Sequence, residues 1–352
     1  MTIEERKKYF IEVGKFLRQF RLDSAETIKK EPENQGFLNE MNQKIDSAVH
    51  HNGWFTRENV VFALQQWSKA LTKENLDAWL GRYEIPEIDP KTVGIVMAGN
   101  IPLVGFHDFL SVLMSGHNVL IKQSGNDKQL LPVIAAYLMN LDPEFEEKIS
   151  FTEEKLENFD AVIATGSNNT ARYFEYYFGN KPHIIRRNRN SVAVLDGNES
   201  PEELDALGED IFRYYGLGCR NVSKLYVPKG YDFTPFFEAM YGWNAIINQA
   251  KYANNYDYNK AVYLMSEFRL LENGFLILKE DSSFGSPIAT LFYETYEDEE
   301  SLKQTLEAEK ERLQCVVSRD LLPKEVGFGQ TQKPELWDYA DDVDTMEFLL
   351  KL

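Results

Sequence analysis

The sequence predicts a two-domain α/β protein with a mainly parallel sheet, and three observations lead to this prediction. The chain has 352 residues, which is long for one domain. In residues 1–80, apolar side chains such as Tyr9, Val13 and Leu17 recur at helical spacing. From about residue 91, short apolar runs alternate with helical segments. Strand–helix–strand units of this length build parallel sheets.

The predicted strands are short and apolar, as expected of buried parallel strands that are covered on both faces. A helix that ends at Gly116 separates the first two strands, and a helix over 130–141 follows the second. The strands predicted for this sheet are VGIVMAG, NVLIK, FDAVIATGS and SVAVLDG, and a further strand, SKLYVP, covers residues 223–228.

Composition excludes several classes of protein. The net charge is −18, from 38 basic and 56 acidic residues, and this argues against nucleic-acid or anionic-membrane binding. Two cysteines far apart favour a reducing compartment over a disulfide framework. The N-terminus lacks the pattern of a signal peptide, and no apolar stretch is long enough to span a membrane. We expect a cytoplasmic protein, and no metal site is expected.

Three predicted strands end in residues that suit ligand binding. Gly99 and Asn100 follow the first, Lys122 ends the second, and Gly166 and Ser167 follow the third. Ligands bind at the carboxyl ends of parallel strands. Glycine allows close backbone approach, serine caps a helix whose N-terminus binds anions, and lysine meets ribose or phosphate. Each signal is unspecific by itself, but their order along the chain is informative.

Cys219 lies in YGLGCRNVSKLYVP, residues 215–228, in a turn of small residues ahead of a predicted strand. An exposed thiol there is a candidate nucleophile, and a helix N-terminus or the neighbouring Arg220 would favour its thiolate. The alternative is a buried, inert cysteine. Cys315 precedes two valines and is predicted to be a core residue of a strand.

Taken in series, the Asn-x-Pro turn at Asn100, the strand-end lysine, the Thr-Gly-Ser turn and the Gly-x-Gly-Cys segment resemble the aldehyde dehydrogenase superfamily. The stretch around Cys219 and the segment DYADDVDTMEFL, residues 338–349, resemble the LuxC-type acyl-CoA reductases within it. Members of that family reduce fatty acyl thioesters to aldehydes with NADPH. The resemblance covers residues 90–349.

The resemblance implies a role for each candidate residue. Cys219 would be the nucleophile, and Asn100 would form the oxyanion hole with the backbone N–H of Cys219. Lys122 would bind the adenosine ribose or its 2′-phosphate, and Gly166 and Ser167 would bind the pyrophosphate. An acyl-CoA substrate would acylate the thiol, with CoA as the leaving group.

Two departures from the aldehyde dehydrogenase pattern affect the expected reaction. Residues 184–197 contain no glutamate where aldehyde-oxidising members carry the one that activates water, so reduction of the acyl-enzyme is favoured over hydrolysis. Ser282 replaces the glutamate that holds the nicotinamide ribose, with Glu280 or Asp281 as possible substitutes.

NADPH is the expected cofactor, and NADH is the alternative. Gly125 stands where an acidic residue often selects NAD through the ribose 2′-hydroxyl. Two alternatives stay open for the basic run Arg186–Arg189. It binds phosphates of CoA or NADPH, or it forms a solvated turn.

The expected organisation is an N-terminal helical region (1–90), a Rossmann-like NADP(H)-binding domain (91–215), a catalytic domain (216–330) and a tail (331–352). The tail would pack on the core or in an oligomer interface, since the resemblance implies a homo-oligomer. Two alternative functions stay open: an NAD(P)-dependent aldehyde or semialdehyde dehydrogenase, and a catalytically silent binding subunit.

Overall fold

The computed structural model describes residues 1–22 and 34–352, and the chain divides into two compact units. Unit 1 comprises Met1–Arg187 and Glu335–Leu352, and unit 2 comprises Asn188–Pro334. The helices are α1 (Ile3–Leu17), α2 (Gln35–His51), α3 (Arg57–Ala70), α4 (Lys73–Leu80), α5 (Phe106–Ser115), α6 (Leu130–Leu141), α7 (Glu144–Lys148), α8 (Asn168–Phe178), α9 (Pro201–Phe212), α10 (Thr234–Met240), α11 (Ala250–Met265), α12 (Glu299–Ala308) and α13 (Thr345–Leu350).

The strands are β1 (Thr92–Val96), β2 (Asn118–Lys122), β3 (Ile149–Phe151), β4 (Ala161–Thr165), β5 (His183–Arg186), β6 (Asn190–Val194), β7 (Val222–Pro228), β8 (Leu270–Glu272), β9 (Ile277–Glu280), β10 (Thr290–Tyr296) and β11 (Leu313–Val317).

Unit 1 is built on a parallel sheet with strand order β3-β2-β1-β4-β5 among the described residues. β1 lies at its centre and pairs with β2 from Thr92 opposite Asn118 and with β4 from Val93 opposite Ala161. The apolar runs predicted as β1, β2 and β4 therefore form adjacent strands. The predicted α/β fold with parallel sheets is confirmed.

The N-terminal helices and the C-terminal segment pack onto the same hydrophobic core as this sheet. Thr2 caps α1 by accepting a hydrogen bond from the backbone N–H of Glu5, and Val13 and Leu17 are buried. From the C-terminal segment, Tyr339 accepts a hydrogen bond from Trp79 Nε1 at 2.6 Å. The carbonyl of Leu349 accepts one from a buried histidine that follows α5.

Unit 2 contains a second sheet, with order β11-β6-β7-β10-β9-β8 among the described residues. Its strand pairs are parallel except for β8 with β9, which is antiparallel. Residues of β6, β7, β9 and β10 form the core beneath α9 and α10. Cys315 is buried in β11, as predicted.

One strand lies in a different sheet from the one expected. The sequence predicts SVAVLDG as a strand of the first sheet, but β6 pairs with β7 and β11. The division between the units therefore falls between Arg187 and Asn188, where the sequence placed it between 215 and 216. An apolar run identifies a buried strand but not its partners, and this explains the difference.

Within residues 1–22 and 34–352, no helix combines the length and the apolar character needed to cross a membrane.

Candidate functional site

The loop after β1 carries Asn100 on the surface of unit 1. Asn100 is exposed, and the preceding Gly99 is buried against the next loop. A Cβ on Gly99 would lie 2.5 Å from Ser124 Oγ, so only glycine fits there. Leu103 has a left-handed backbone with φ 58°, and its N–H donates to Asp127 Oδ2 at 2.8 Å. These contacts fix the path of the loop that presents Asn100.

Asp127 joins the loops that follow β1 and β2. Its Oδ1 is buried and has no hydrogen-bond partner among the described residues, whereas Oδ2 binds the backbone of the Asn100 loop. Burial raises the pKa of Asp127 to about 6, although the hydrogen bond from Leu103 opposes this shift. The Asp127 carboxyl therefore keeps its proton to a higher pH than an exposed aspartate does, while it supports the Asn100 loop.

Lys122 ends β2, beside the start of the Asn100 loop. Its Nζ donates to the carbonyl of Glu154 at 2.9 Å, and the side chain is partly exposed. A lysine in this position offers two further donors to a ligand, because an ammonium group carries three protons. The contact with Glu154 holds the ammonium near the sheet edge.

The Gly166-Ser167 turn joins β4 to α8. Ser167 is the N-cap of α8, and its Oγ accepts from the Thr170 N–H at 3.2 Å, as predicted. A Cβ on Gly166 would lie 3.0 Å from both Thr170 and Phe174, so glycine allows the turn to pack against its own helix. The residues at the start of α8 are exposed, and their N–H groups favour an anion.

The residues predicted in unit 1 lie at one edge of its sheet. β2, β1 and β4 are adjacent and parallel, so the loops with Lys122, Asn100 and Ser167 leave the same carboxyl edge. This edge combines an amide donor, an ammonium group and a helix N-terminus, which together suit a phosphate-bearing ligand.

Cys219 lies in unit 2, in the short connection between α9 and β7. Cys219 is exposed, so the alternative of a buried cysteine is wrong. The Cys219 carbonyl accepts a hydrogen bond from Ser191 Oγ at 2.9 Å. On the amino side, Tyr214 and Tyr215 have φ 56° and 60°, a conformation that costs about 1–2 kcal/mol for each residue with a side chain.

The sequence suggests two local sources of thiolate stabilisation, the neighbouring Arg220 and a helix N-terminus. Arg220 follows Cys219 in the chain, and its Nε donates to the carbonyl of Thr331 at 2.6 Å. The residues after Cys219 lead into β7, and no helix begins there. Cys219 is therefore placed by backbone hydrogen bonds rather than by a helix N-terminus.

The segment after β9 contains Ser282, at the position where the resemblance predicts a glutamate. Ser282 is exposed, and its carbonyl accepts from Nζ of the buried Lys224 at 2.9 Å. Asp281 pairs with Lys279. Burial opposes ionisation of Asp281, but hydrogen bonds from Lys279 and Ser283 outweigh it and lower its pKa to about 2. Glu280 is exposed and precedes this ion pair.

The basic run that begins at the last residue of β5 is not a single phosphate-binding turn. Arg186 is buried in unit 1, where it contacts Asp108 Oδ2 at 2.5 Å and Thr345 Oγ1 at 3.0 Å. Arg187 pairs with Glu175. In unit 2, Arg189 donates to the carbonyl of Leu313 at 3.1 Å. Arg186 therefore forms a buried ion pair. Neither alternative predicted for this run, phosphate binding or a solvated turn, describes Arg186.

Comparison with known proteins shows the family to which this chain belongs. The family model described as acyl-CoA reductase (LuxC) matches residues 27–239. The chain belongs to the LuxC acyl-CoA reductase family. The match covers Asn100, Lys122, Ser167 and Cys219, and it ends before the segment 338–349, which also carried the resemblance.

A curated relative of this LuxC family member is the long-chain acyl-protein thioester reductase of Aliivibrio fischeri. It is 22% identical over an alignment of 233 residues, and the match covers 58% of this chain and 47% of the reductase. The chain thus spans about half the length of this relative.

Solved structures with a similar fold are aldehyde dehydrogenases. The NAD-dependent aldehyde dehydrogenase from Sinorhizobium meliloti has a TM-score of 0.62 at 13% identity, over 94% of this chain and 72% of that enzyme. The indole-3-acetaldehyde dehydrogenase of P. syringae, solved with NAD+ and IAA, has a TM-score of 0.57 at 14% identity, over 86% of this chain and 69% of that enzyme. At these identities the likeness establishes the aldehyde dehydrogenase-like fold.

Several residues around Cys219 were not identified from the sequence. Ser191, Asp210 and Thr331 come from distant parts of the chain and carry no motif. Asn221 is the exception, because a polar residue two positions after a candidate nucleophile is visible in the sequence. Its side chain forms hydrogen bonds with the backbone on both sides of the left-handed segment ahead of Cys219.

Proposed function

We propose that this LuxC family protein reduces an acyl thioester to the aldehyde with NADPH, through an acyl group on Cys219. In the overall reaction, acyl-CoA, NADPH and one proton give aldehyde, NADP+ and CoA. The exposed Cys219 thiol in a member of this family is the observation that carries the proposal.

The first step forms the acyl-enzyme. The Cys219 thiolate attacks the thioester carbon, the tetrahedral oxyanion collapses, and the C–S bond to CoA breaks as the CoA thiolate leaves. The Asn100 amide is the proposed side-chain donor to the oxyanion, with the backbone N–H of Cys219 as the second donor. Removing one such donor typically lowers the rate by about 10²–10³-fold.

The second step reduces the acyl-enzyme. Bound NADPH would supply the hydride for the acyl carbon, and the resulting thiohemiacetal releases the aldehyde as its oxygen loses a proton and the C–S bond to Cys219 breaks. Reduction competes with hydrolysis, for which a base must activate water. Residues 184–197 offer no glutamate for that purpose, and this supports reduction.

The residues of unit 1 fit a dinucleotide cofactor. The exposed start of α8 and the Lys122 ammonium supply donors for phosphate and ribose oxygens. Asp127 turns its Oδ2 toward the backbone of Leu103, and Glu153 pairs with Lys128. These contacts reduce the negative charge offered to a 2′-phosphate, and they support NADPH over NADH.

The acyl donor has a second candidate. The curated relative is named an acyl-protein thioester reductase. A protein thioester exchanges onto a cysteine by the same attack, with the carrier protein's thiol as the leaving group in place of CoA. We therefore propose that both donor classes be compared in the same assay.

The decisive experiment is intact-mass detection of an acyl adduct after incubation with acyl-CoA or acyl-protein. We expect the adduct on the wild type and on Cys315→Ala, and none on Cys219→Ala. NADPH oxidation across an acyl-chain series should show the same dependence on Cys219.

Two results would contradict the proposal. Absence of an adduct with every donor would favour a catalytically silent binding subunit. Aldehyde-dependent turnover without CoA would favour the aldehyde dehydrogenase alternative.

A further inference from the structure

The backbone ahead of Cys219 adopts a rare conformation. Tyr214, Tyr215 and Gly216 are left-handed in succession, with φ 56°, 60° and 75°. Side chains at the two tyrosines disfavour this region because Cβ crowds the following carbonyl. Such a segment persists only where the surrounding contacts over-determine it.

The Asn221 side chain bridges both ends of this left-handed segment. Its Nδ2 donates to the carbonyl of Arg213 at 2.8 Å and to that of Asp210 at 3.1 Å, before the segment. Its Oδ1 accepts from the N–H of Gly218 at 2.8 Å, after the segment. Asn221 is buried, with 2% of its surface exposed, so these hydrogen bonds do not compete with bulk water.

Two further contacts brace the same connection. Ser191 Oγ donates to the Cys219 carbonyl at 2.9 Å. The buried Asp210 carboxylate accepts from the N–H and the Oγ1 of Thr331, at 2.9 and 2.8 Å, and the Thr331 carbonyl accepts from Arg220. Asp210 therefore links the end of α9, through Thr331, to the residue next to Cys219.

We propose that Asn221 is a positioning residue that holds the Cys219 connection in the conformation from which the thiol reacts. The inference rests on the proposed function in taking Cys219 as the nucleophile. Loss of the Nδ2 donors releases the carbonyls of Arg213 and Asp210. The left-handed segment then relaxes toward ordinary backbone geometry, and the thiol leaves its reactive position.

The test uses alkylation of the full chain by iodoacetamide, without acyl donor or cofactor, followed by peptide mapping of Cys219. Asn221→Asp keeps the shape of the side chain but replaces the donor with an acceptor. We expect the rate of Cys219 alkylation at pH 8 to fall at least fivefold, and the pH midpoint of its reactivity to shift.

The chain offers a matched control in Asn259. This residue is 7% exposed, and its Nδ2 donates to the carbonyl of Ile288 at 2.8 Å. Asn259→Asp imposes the same chemical change in unit 2. It should lower the melting temperature while leaving the Cys219 alkylation rate within twofold of the wild type and the midpoint in place.

The outcomes separate the positioning role from the proposed function. Alkylation of Asn221→Asp at the wild-type rate or faster, or at the rate of Asn259→Asp, overturns the positioning role. If the wild type forms no acyl adduct but its alkylation still depends on Asn221, the proposed function fails and the positioning role stands. If Asn221→Asp does not fold, Ser191→Ala removes a hydrogen bond to Cys219 itself and carries the same expectation.

Discussion

The two regions that carry the candidate residues are built in different ways. In unit 1, Asn100, Lys122 and Ser167 stand at or just beyond the carboxyl ends of adjacent parallel strands. In unit 2, Cys219 precedes β7 and follows a left-handed segment. The first region uses a property shared by parallel sheets, whereas the second depends on particular side chains that hold an unfavourable backbone.

Because of this difference, we expect the two regions to respond differently to substitution. At the edge of the unit 1 sheet, the strands set where each loop begins, so we expect an exposed side chain such as Asn100 to change without moving its neighbours. In the Cys219 connection, the side chains set the backbone itself, so a substitution there alters both position and chemistry.

The largest effect that tests this contrast is expected for Asn100→Ala. The variant should lower the rate of acylation of Cys219 by about 10²–10³-fold, because an oxyanion donor is lost. Rapid-quench measurement of the acyl adduct checks the rate. The melting temperature should stay unchanged, because Asn100 is exposed.

Asn39→Ala is the control for this variant, since Asn39 is an exposed asparagine on α2. Equal acylation rates for the two variants would remove Asn100 from the oxyanion role. A large loss of stability in Asn100→Ala would show that its loop is held by its side chain, as the Cys219 connection is.

The next effect concerns Asp127, which connects two strand-end loops of unit 1. Because the pKa of Asp127 is raised to about 6 in the folded protein, the unfolded chain releases this proton first as the pH rises. The contribution of Asp127 to stability therefore falls between pH 4 and pH 6, by up to about 3 kcal/mol for a shift of about two pKa units.

Asp127→Asn removes this titration and keeps an acceptor for the N–H of Leu103. Its free energy of unfolding relative to the wild type should increase across the same pH window and stay constant above it. Urea unfolding at pH 4 and pH 7 measures the change. A difference that does not depend on pH would show that the Asp127 carboxyl has an ordinary pKa.

The smallest changes in stability are expected for two glycine substitutions, one in each region. Gly216 has φ 75°, so Gly216→Ala should destabilise the protein by about 1–2 kcal/mol. Gly125 lies in the loop after β2, its φ is not positive, and no atom lies within 4 Å of an added Cβ. Gly125→Ala should stabilise by about 0.4–1 kcal/mol through the unfolded state.

Thermal unfolding of the two alanine variants measures the change in stability that each substitution causes. Opposite signs are expected, and equal shifts would mean that the conformation ahead of Cys219 is no more demanding than an ordinary loop.

Much of the fold and part of the candidate site follow from local sequence patterns. The apolar runs identify β1, β2, β4 and β7, and Ser167 is recognisable as the cap of α8. The resemblance carried by the segment around Cys219 led to the correct family. These features depend on residues close together in the chain, so a single sequence contains them.

The tertiary structure alone decided the features that depend on residues far apart in sequence. It assigned β6 to the second sheet, buried Arg186 against Asp108, and turned Arg220 toward Thr331. Strand pairing and buried hydrogen bonds depend on the whole fold, because most buried polar groups take a partner wherever the chain brings one. The sequence by itself determined that Cys219 is the candidate nucleophile, and the fold determined what holds it in place.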